Sequence, residues 1–300
     1  MEKRTFRAVF FDLDGTLLPM DVDVFMKSYF RALGGYVARM GIAPDQFMVG
    51  MKRGITAMAT NDSGHANAES FWPEFLACID MPEGVTADTL QAAIGDFYEN
   101  EFGELGADVK PNPAAARAIE ALVAKGYPLV LATMPMFPRR AVEWRLRWAG
   151  IDPAVFSRIT TFENSTAVKP KPDYYAENLA AAGVEGRDVL MVGNNTKEDL
   201  AACQLGCEGF LVTDFLIDPV GFEVFSVRHG SMEKFADWVD SLPECADPAQ
   251  GVSDAIVPAA ARERVLAASG IADGQAGGAK TLEEAGRSGG TDFVINGMED

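Results

Sequence analysis

An apolar run, Ala8-Val9-Phe10-Phe11, stops at two carboxylates, Asp12 and Asp14, with Leu13 between them and Gly15-Thr16 behind. So short a run, apolar at every position, reads as a buried strand of a parallel sheet. The acids then lie at its C-terminal end, where open α/β sheets bind ligands. In an extended chain the side chains of Asp12 and Asp14 point to one face. Two like charges placed there destabilise each other unless a cation lies between them. A hard divalent ion with oxygen ligands, most simply Mg²⁺, resolves the conflict. Gly15 lets the chain turn sharply just beyond. Taken alone, the same letters also read as a strand-end cap and an Asp-Gly turn.

The strand–helix alternation resumes at Pro111. Asn112 and Pro113 begin a helix that reaches Lys125, and Gly126 ends it. The strand Pro128 to Ala132 stops at Thr133, and Pro138 opens a helix to Gly150. A strand over Arg158–Thr161 follows, then a helix from Pro172 to Gly183 and a strand over Asp188–Gly193. A helix from Thr196 to Leu205 leads to the strand Gly209–Thr213, and Ser231–Leu242 forms one more amphipathic helix. Strands alternating with helices in this way predict an α/β fold, a Rossmann-like parallel sheet.

Between Met20 and Lys110 the pattern changes. Helical spacing is carried by Val24, Phe25, Tyr29, Phe30, Leu33, Val37 and Met40. Further helices are predicted over Pro44–Thr60 and Ala66–Ile79, and another from Thr86, Asp88 or Thr89 with Leu90, Ile94, Phe97 and Tyr98 on one face. No strand signal interrupts them. The predicted organisation is therefore a core of residues 1–19 and 111–245, a helical insertion over 20–110, and a low-complexity, disordered tail over 246–300. Within that tail Val257–Ala268 has a helical pattern, and Asp292–Asn296 is apolar enough to dock.

A net charge of −18 over 300 residues argues against nucleic acid or an anionic membrane as partner. No apolar stretch is long enough to cross a bilayer, and no signal peptide precedes the first strand. Cys78, Cys203, Cys207 and Cys245 are scattered and lack the companions of a zinc site. They read as free thiols in a reducing cytoplasm.

The run Phe10-Phe11-Asp12-Leu13-Asp14-Gly15-Thr16-Leu17-Leu18 resembles the first motif of the haloacid dehalogenase-like (HAD) superfamily. Three further stretches resemble the remaining motifs in order: Leu131-Ala132-Thr133-Met134-Pro135, Lys169-Pro170-Lys171-Pro172, and Gly193-Asn194-Asn195-Thr196-Lys197-Glu198-Asp199. The all-helical insertion resembles the C1 cap of that superfamily. The resemblance implies Asp12 as nucleophile, forming an aspartyl-phosphate, and Asp14 as general acid and then base. It implies that Thr133 and Lys169 hold the phosphoryl oxygens. Lys171 also precedes a proline and reads as a solvated helix-start lysine. The implied Mg²⁺ ligands are Asp12, the backbone carbonyl of Asp14, and the fourth motif. There Asp199 matches one acid of the family pattern, while either Asn194 or Asn195 replaces the other. Both asparagines depart from the pattern, as does Met134, where many relatives have Asn. Asn195 or Thr196 also makes a good N-cap with Glu198 or Asp199 as partner.

The implied activity is Mg²⁺-dependent hydrolysis of a small cytosolic phosphomonoester. Alternatives are a dehalogenase, which needs no proton for its leaving halide, a phosphomutase, and a binding or regulatory module on a decayed scaffold. Lys52-Arg53, His65, the arginines Arg139, Arg140, Arg145 and Arg147, and the aromatics Phe71, Trp72, Trp144 and Trp148 have ordinary readings as solvated, ion-paired or core residues.

Overall fold

β1 (Ala8–Phe11) is fully buried, and its alternate residues feed two separate cores. Val9 and Phe11 belong to one cluster and Ala8 and Phe10 to the other, so the strand lies at the centre of a layered α/β/α structure. The computed structural model describes residues 5–271. Its sheet is parallel throughout, with β2 (Leu129–Leu131), β3 (Phe156–Ile159), β4 (Val189–Gly193), β5 (Glu208–Val212) and β6 (Arg228–Gly230) joining in the order β3-β2-β1-β4-β5-β6. Phe11 is in register with Leu131 on one side and Val192 on the other. This is the doubly wound order, and the switch point between β1 and β4 is where such sheets leave a crevice at their C-terminal ends.

The predicted helical insertion follows β1. It contains α1 (Val22–Ala38), α2 (Pro44–Ala59), α3 (Asn67–Leu76) and α4 (Ala87–Asn100). Asp21 caps α1, and Thr86 caps α4 by accepting from Thr89 N–H at 3.2 Å. The core resumes with α5 (Pro113–Ala124), which Asn112 caps through the Ala114 N–H at 3.0 Å. α6 (Arg139–Trp148), α7 (Pro172–Ala182), α8 (Met232–Asp240) and α9 (Ala259–Ala268) complete it. α5 packs on α8, and α7 packs on α9.

The sequence expectations differ from the structure in three places. The helix predicted from Thr196 is a 3-10 helix that begins only at Asp199 and ends at Leu205. The preceding turn is held by the Asn195 side chain, which delays helix onset. The edge strand β6 was not read from the sequence, because Arg228-His229-Gly230 is short and partly exposed. The third difference concerns the predicted disordered tail. Its first part, 246–271, is ordered against the α/β domain: Ala249 N–H donates to Arg7 O at 2.9 Å and Ser253 N–H to Ala181 O at 3.0 Å. The cause lies on β3. Arg158 is completely buried, bonds Asn178 Oδ1 and Asn164 O, and finds two more acceptors in Ser253 O and Ala255 O, both at 2.9 Å. A buried guanidinium needs such partners. Backbone carbonyls supply them, so the composition of the segment carried no sign of it. The rest of the predicted tail, 272–300, including Asp292–Asn296, lies outside the described residues.

Candidate active site

The strand ends at the switch point bring the singled-out residues together. Asp12 follows β1 directly, and its N–H is fixed to Val192 O of β4 at 2.9 Å. Lys169 comes from the loop before α7. Its Nζ lies 2.7 Å from Asp12 Oδ1 and 2.7 Å from Asp199 Oδ1. Burial works against the ammonium charge, but Asp12 and Asp199 outweigh it, so the Lys169 pKa lies well above its ordinary value. Thr133 follows β2 and is buried; its carbonyl is held by Tyr174 Oη at 2.8 Å and Thr160 Oγ1 at 2.9 Å. Asp12, Asp14, Thr133, Asn194, Asn195 and Asp199 border one cavity beneath the helical insertion.

Asp199, implied as a metal ligand, has both carboxylate oxygens engaged by protein. Oδ1 pairs with Lys169, and Oδ2 accepts from Asn195 N–H at 2.8 Å. It is in place to position Lys169. The side chain reaches over the end of β4 because position 193 is glycine; a Cβ there would sit 2.2 Å from Asp199 Cγ.

The two asparagines separate clearly. Asn195 Oδ1 accepts from Lys197 N–H and Glu198 N–H, both at 3.0 Å, which is the work of a turn cap. Asn194 Nδ2 donates to Phe215 O at 2.6 Å, so its Oδ1 faces the other way, toward the Thr16 hydroxyl at 3.1 Å. That hydroxyl is also 3.1 Å from Asp12 Oδ2. With a single proton it donates to one of the two oxygens at a time. Asn194, not Asn195, therefore presents an oxygen on the Asp12 side. Gly15 makes this possible. Its φ is +80°, and a Cβ would stand 2.3 Å from Asn194 Nδ2.

Asp14 is held by a residue from outside the motifs. Arg145 Nη1 of α6 forms an ion pair with Asp14 Oδ2 while its guanidinium carbon lies 4.5 Å from the centre of the Phe137 ring. Only 3% of the Arg145 side chain is exposed. Burial raises the Asp14 pKa; Arg145 opposes the shift and Asp12 adds to it, leaving the carboxyl above its ordinary value.

Glu198 also borders the cavity. Burial pushes its carboxyl up to about 8, with Lys169 opposing and with Asp199 and Asp12 adding to the shift. Asp12 and Asp199 thus share the one ammonium of Lys169, and Glu198 makes no ion pair with it. Among the described residues no cluster of three Asp, Glu, His or Cys side chains is arranged as a ready metal cage. Mg²⁺ does not require one, since it binds through one or two carboxylates, water and substrate phosphate. The Asp12 carboxylate and the Asn194 amide oxygen, beside a hydroxyl that bridges them, form an all-oxygen donor set suited to that ion.

Sequence reading missed three of these residues. Arg145 sits at helical spacing from the buried Ala141 and Val142, so an arginine on the apolar face of α6 was the available signal. Glu198 stands four residues beyond Asn194, where its spacing reads as that of a cap partner. Thr16 lies inside the first motif itself. Other candidates keep their ordinary readings. Arg53 pairs with Glu74, His65 lies near Glu69, and the Trp144 and Trp148 indoles donate to Tyr98 O and Gly103 O. Lys171 departs from its reading as a solvated lysine: it is partly buried, and its Nζ donates to Asn61 O of the insertion at 2.9 Å.

Solved structures with a similar fold include a predicted phosphoglycolate phosphatase from Haemophilus somnus, 16% identical, TM-score 0.48, covering 79% of this chain and 99% of its own. A HAD phosphatase from Thermococcus onnurineus is 19% identical, TM-score 0.45, covering 78% and 98%. An L-2-haloacid dehalogenase is 16% identical, TM-score 0.45, covering 78% and 99%. No curated protein matches the chain. Residues 6–205 match the family model for haloacid dehalogenase-like hydrolases, and the chain belongs to that family.

Proposed function

We propose that the protein is a phosphatase of small phosphomonoesters, with Asp12 as nucleophile and Asp14 as its proton donor and acceptor. The observation that carries this reading is the Asp14 carboxyl. It is largely withdrawn from solvent beside Asp12, with 15% of its side chain exposed, paired with Arg145, and held above its ordinary pKa. A carboxyl in that setting can keep a proton while its neighbour is ionised, and the departing oxygen of a phosphate ester needs that proton. A departing halide does not.

In the proposed reaction an Asp12 carboxylate oxygen attacks phosphorus in line. The bond from phosphorus to the ester oxygen breaks as Asp14 gives that oxygen its proton, releasing the alcohol. Asp14, now ionised, takes a proton from water. The water oxygen attacks phosphorus, the bond to Asp12 breaks, and inorganic phosphate leaves. Lys169, positioned by Asp199, and Thr133 hold the phosphoryl oxygens. Asp12, Asn194 Oδ1 and the Asp14 carbonyl would hold Mg²⁺, which when bound offsets the negative charge of the phosphoryl group and Asp12. The insertion acts as a cap that excludes water. A small phosphorylated metabolite is the proposed partner and the cytoplasm the proposed compartment; none of the described cysteines forms a disulfide, and no described helix is long and apolar enough to cross a membrane.

The test is phosphate release from a panel of phosphomonoesters with Mg²⁺ titrated in, beside Asp12→Asn. Metal-dependent release that disappears in Asp12→Asn is the expected result. Release that survives in Asp12→Asn, or halide release from 2-haloacids in place of phosphate release, would overturn the proposal.

A further inference from the structure

The cavity above the strand ends has a volume of about 120 Å³, and its two ends differ in chemistry. The floor carries Asp12, Asp14, Asn194, Glu198 and the Arg145 guanidinium. The roof comes from the helical insertion and carries no charged or amide side chain. Phe25 of α1, Met51 and Ile55 of α2, Phe71 of α3 and Ile94 of α4 are among its apolar side chains. The polar side-chain atoms that the insertion adds are the hydroxyls of Tyr29 and Tyr98 and the Trp72 indole. The two phenols are 2.6 Å apart and bonded to each other. One O–H of that pair is used internally, which leaves one to donate.

The unpartnered polar atoms of the cavity lining belong to two floor residues. Arg145 Nε and Nη2 are buried and have no hydrogen-bond partner, as is Asp14 Oδ1. A substrate with its polar atoms at one end satisfies this floor and leaves the roof to carbon. A sugar or polyol phosphate would carry several hydroxyls into the roof, where nearly all would lose their water without gaining a partner. That penalty is what makes an apolar site reject hydroxylated ligands. An apolar group in the same place gains by removing its own surface and that of the roof from water.

We propose that the leaving alcohol is apolar: the cavity selects monophosphates of short branched-alkyl alcohols over those of sugars and polyols. The size sets the limit: a benzene ring alone occupies a cavity of about 150 Å³, and the 120 Å³ here also takes the phosphoryl group, so a short chain fits and a ring does not. The inference names the substrate class of the phosphatase reading and rests on that reading for its chemistry. The preference of the cavity itself can be measured without turnover.

The experiment compares 3-methylbutyl phosphate with glycerol 3-phosphate, whose alcohol parts are of similar size. Acetyl phosphate, which needs little of the roof, reports phosphoryl transfer as such. The expected result is a kcat/KM for 3-methylbutyl phosphate about a hundredfold above that for glycerol 3-phosphate. In Ile94→Trp, which fills the roof, the ratio of 3-methylbutyl phosphate to acetyl phosphate turnover should fall at least about tenfold. Met51→Phe serves as a second filling variant if Ile94→Trp does not fold. A binding arm runs beside these: 3-methylbutanol should raise the melting temperature of the wild type but not of the filled variant, and glycerol at equal concentration should not raise it in either. Equal or reversed ester preference with acetyl phosphate turned over would overturn the inference and leave the phosphatase intact. Inactivity on all three, with 3-methylbutanol still binding, would count against the phosphatase and for the apolar cavity. Failure of 3-methylbutanol to bind would overturn the inference whatever the activity.

Discussion

Arg145 on α6 reaches the strand end of β1 and pairs its Nη1 with Asp14 Oδ2, burying an ion pair at the proposed proton-transfer group. The pair sets two opposing influences on one carboxyl. Burial and Asp12 raise its pKa, and the guanidinium lowers it. The net direction is upward, so Arg145 moderates the shift and does not cause it.

Replacing Arg145 should therefore push Asp14 further up. In Arg145→Gln the alkaline limb of kcat/KM, which requires protonated Asp14, moves to higher pH. The acidic limb of kcat moves the same way where water attack, which requires ionised Asp14, limits turnover. Arg145→Lys keeps the charge and should hold both limbs closer to wild type. Because Arg145→Gln leaves a buried carboxyl without its partner, a stability loss of roughly 3 kcal/mol is expected on urea unfolding. pH profiles that superimpose would refute the assigned influence.

The asymmetry between Asn194 and Asn195 gives a second expectation. Asn194→Asp adds a charge beside Asp12, on the side where Thr16 bridges the two oxygens. The Mg²⁺ concentration for half-maximal activity should fall by about tenfold or more, an effect of a charge on a nearby cation even with strong screening. Asn195→Asp keeps an acceptor for the Lys197 and Glu198 N–H groups and should leave the Mg²⁺ requirement close to wild type. Asn195→Ala, which removes the cap, should cost about 1 kcal/mol of stability. A Mg²⁺ titration of the three variants decides; a larger effect from position 195 would reverse the assignment.

Gly15 is constrained twice over, by its φ of +80° and by the Asn194 amide. Gly15→Ala should cost about 2 kcal/mol or more, since an alanine both occupies a left-handed backbone conformation and displaces Asn194. Urea unfolding checks the stability, and a wild-type midpoint would show that the turn relaxes freely.

Much of this site could be read from the chain because its parts are local. A strand of four buried residues must end somewhere, and the acids at Asp12 and Asp14 mark that end within the same few letters. Asn112, Thr86 and Ser231 announce their helices by capping chemistry that acts over two or three residues. What could not be read depends on distance. Arg145 reaches Asp14 across 131 positions, and Lys169 reaches Asp12 across 157. Only the second of these lies in a stretch with a recognisable neighbourhood. Arg158 shows the same limit from the other side, since its acceptors are main-chain carbonyls that no side-chain pattern encodes. The choice between Asn194 and Asn195 was open for a related reason. It turns on which amide oxygen is consumed by local N–H groups, and that depends on where the 3-10 helix starts.

Glu177 on α7 supplies a pH dependence that does not involve the active site. It is fully buried, accepts from Thr166 Oγ1 at 2.8 Å and Thr166 N–H at 3.1 Å, and lies near Arg158 and Arg262. Burial raises its carboxyl from an ordinary value of 4.5 to about 7, against the pull of Thr166 and the arginines. Between those values the folded protein holds a proton that the unfolded chain has lost. The contribution to stability is thus fully present below the unfolded value and is lost as pH rises through the folded one. Glu177→Gln removes this titration and keeps an oxygen for the Thr166 donors. On going from about pH 5 to about pH 8, the stability of Glu177→Gln relative to wild type should improve by up to about 3 kcal/mol, the free-energy equivalent of the shift. Urea unfolding of both proteins across that range is the measurement. Parallel stability curves would mean that Glu177 titrates alike in the folded and unfolded chains, and that the arginines and Thr166 cancel its burial.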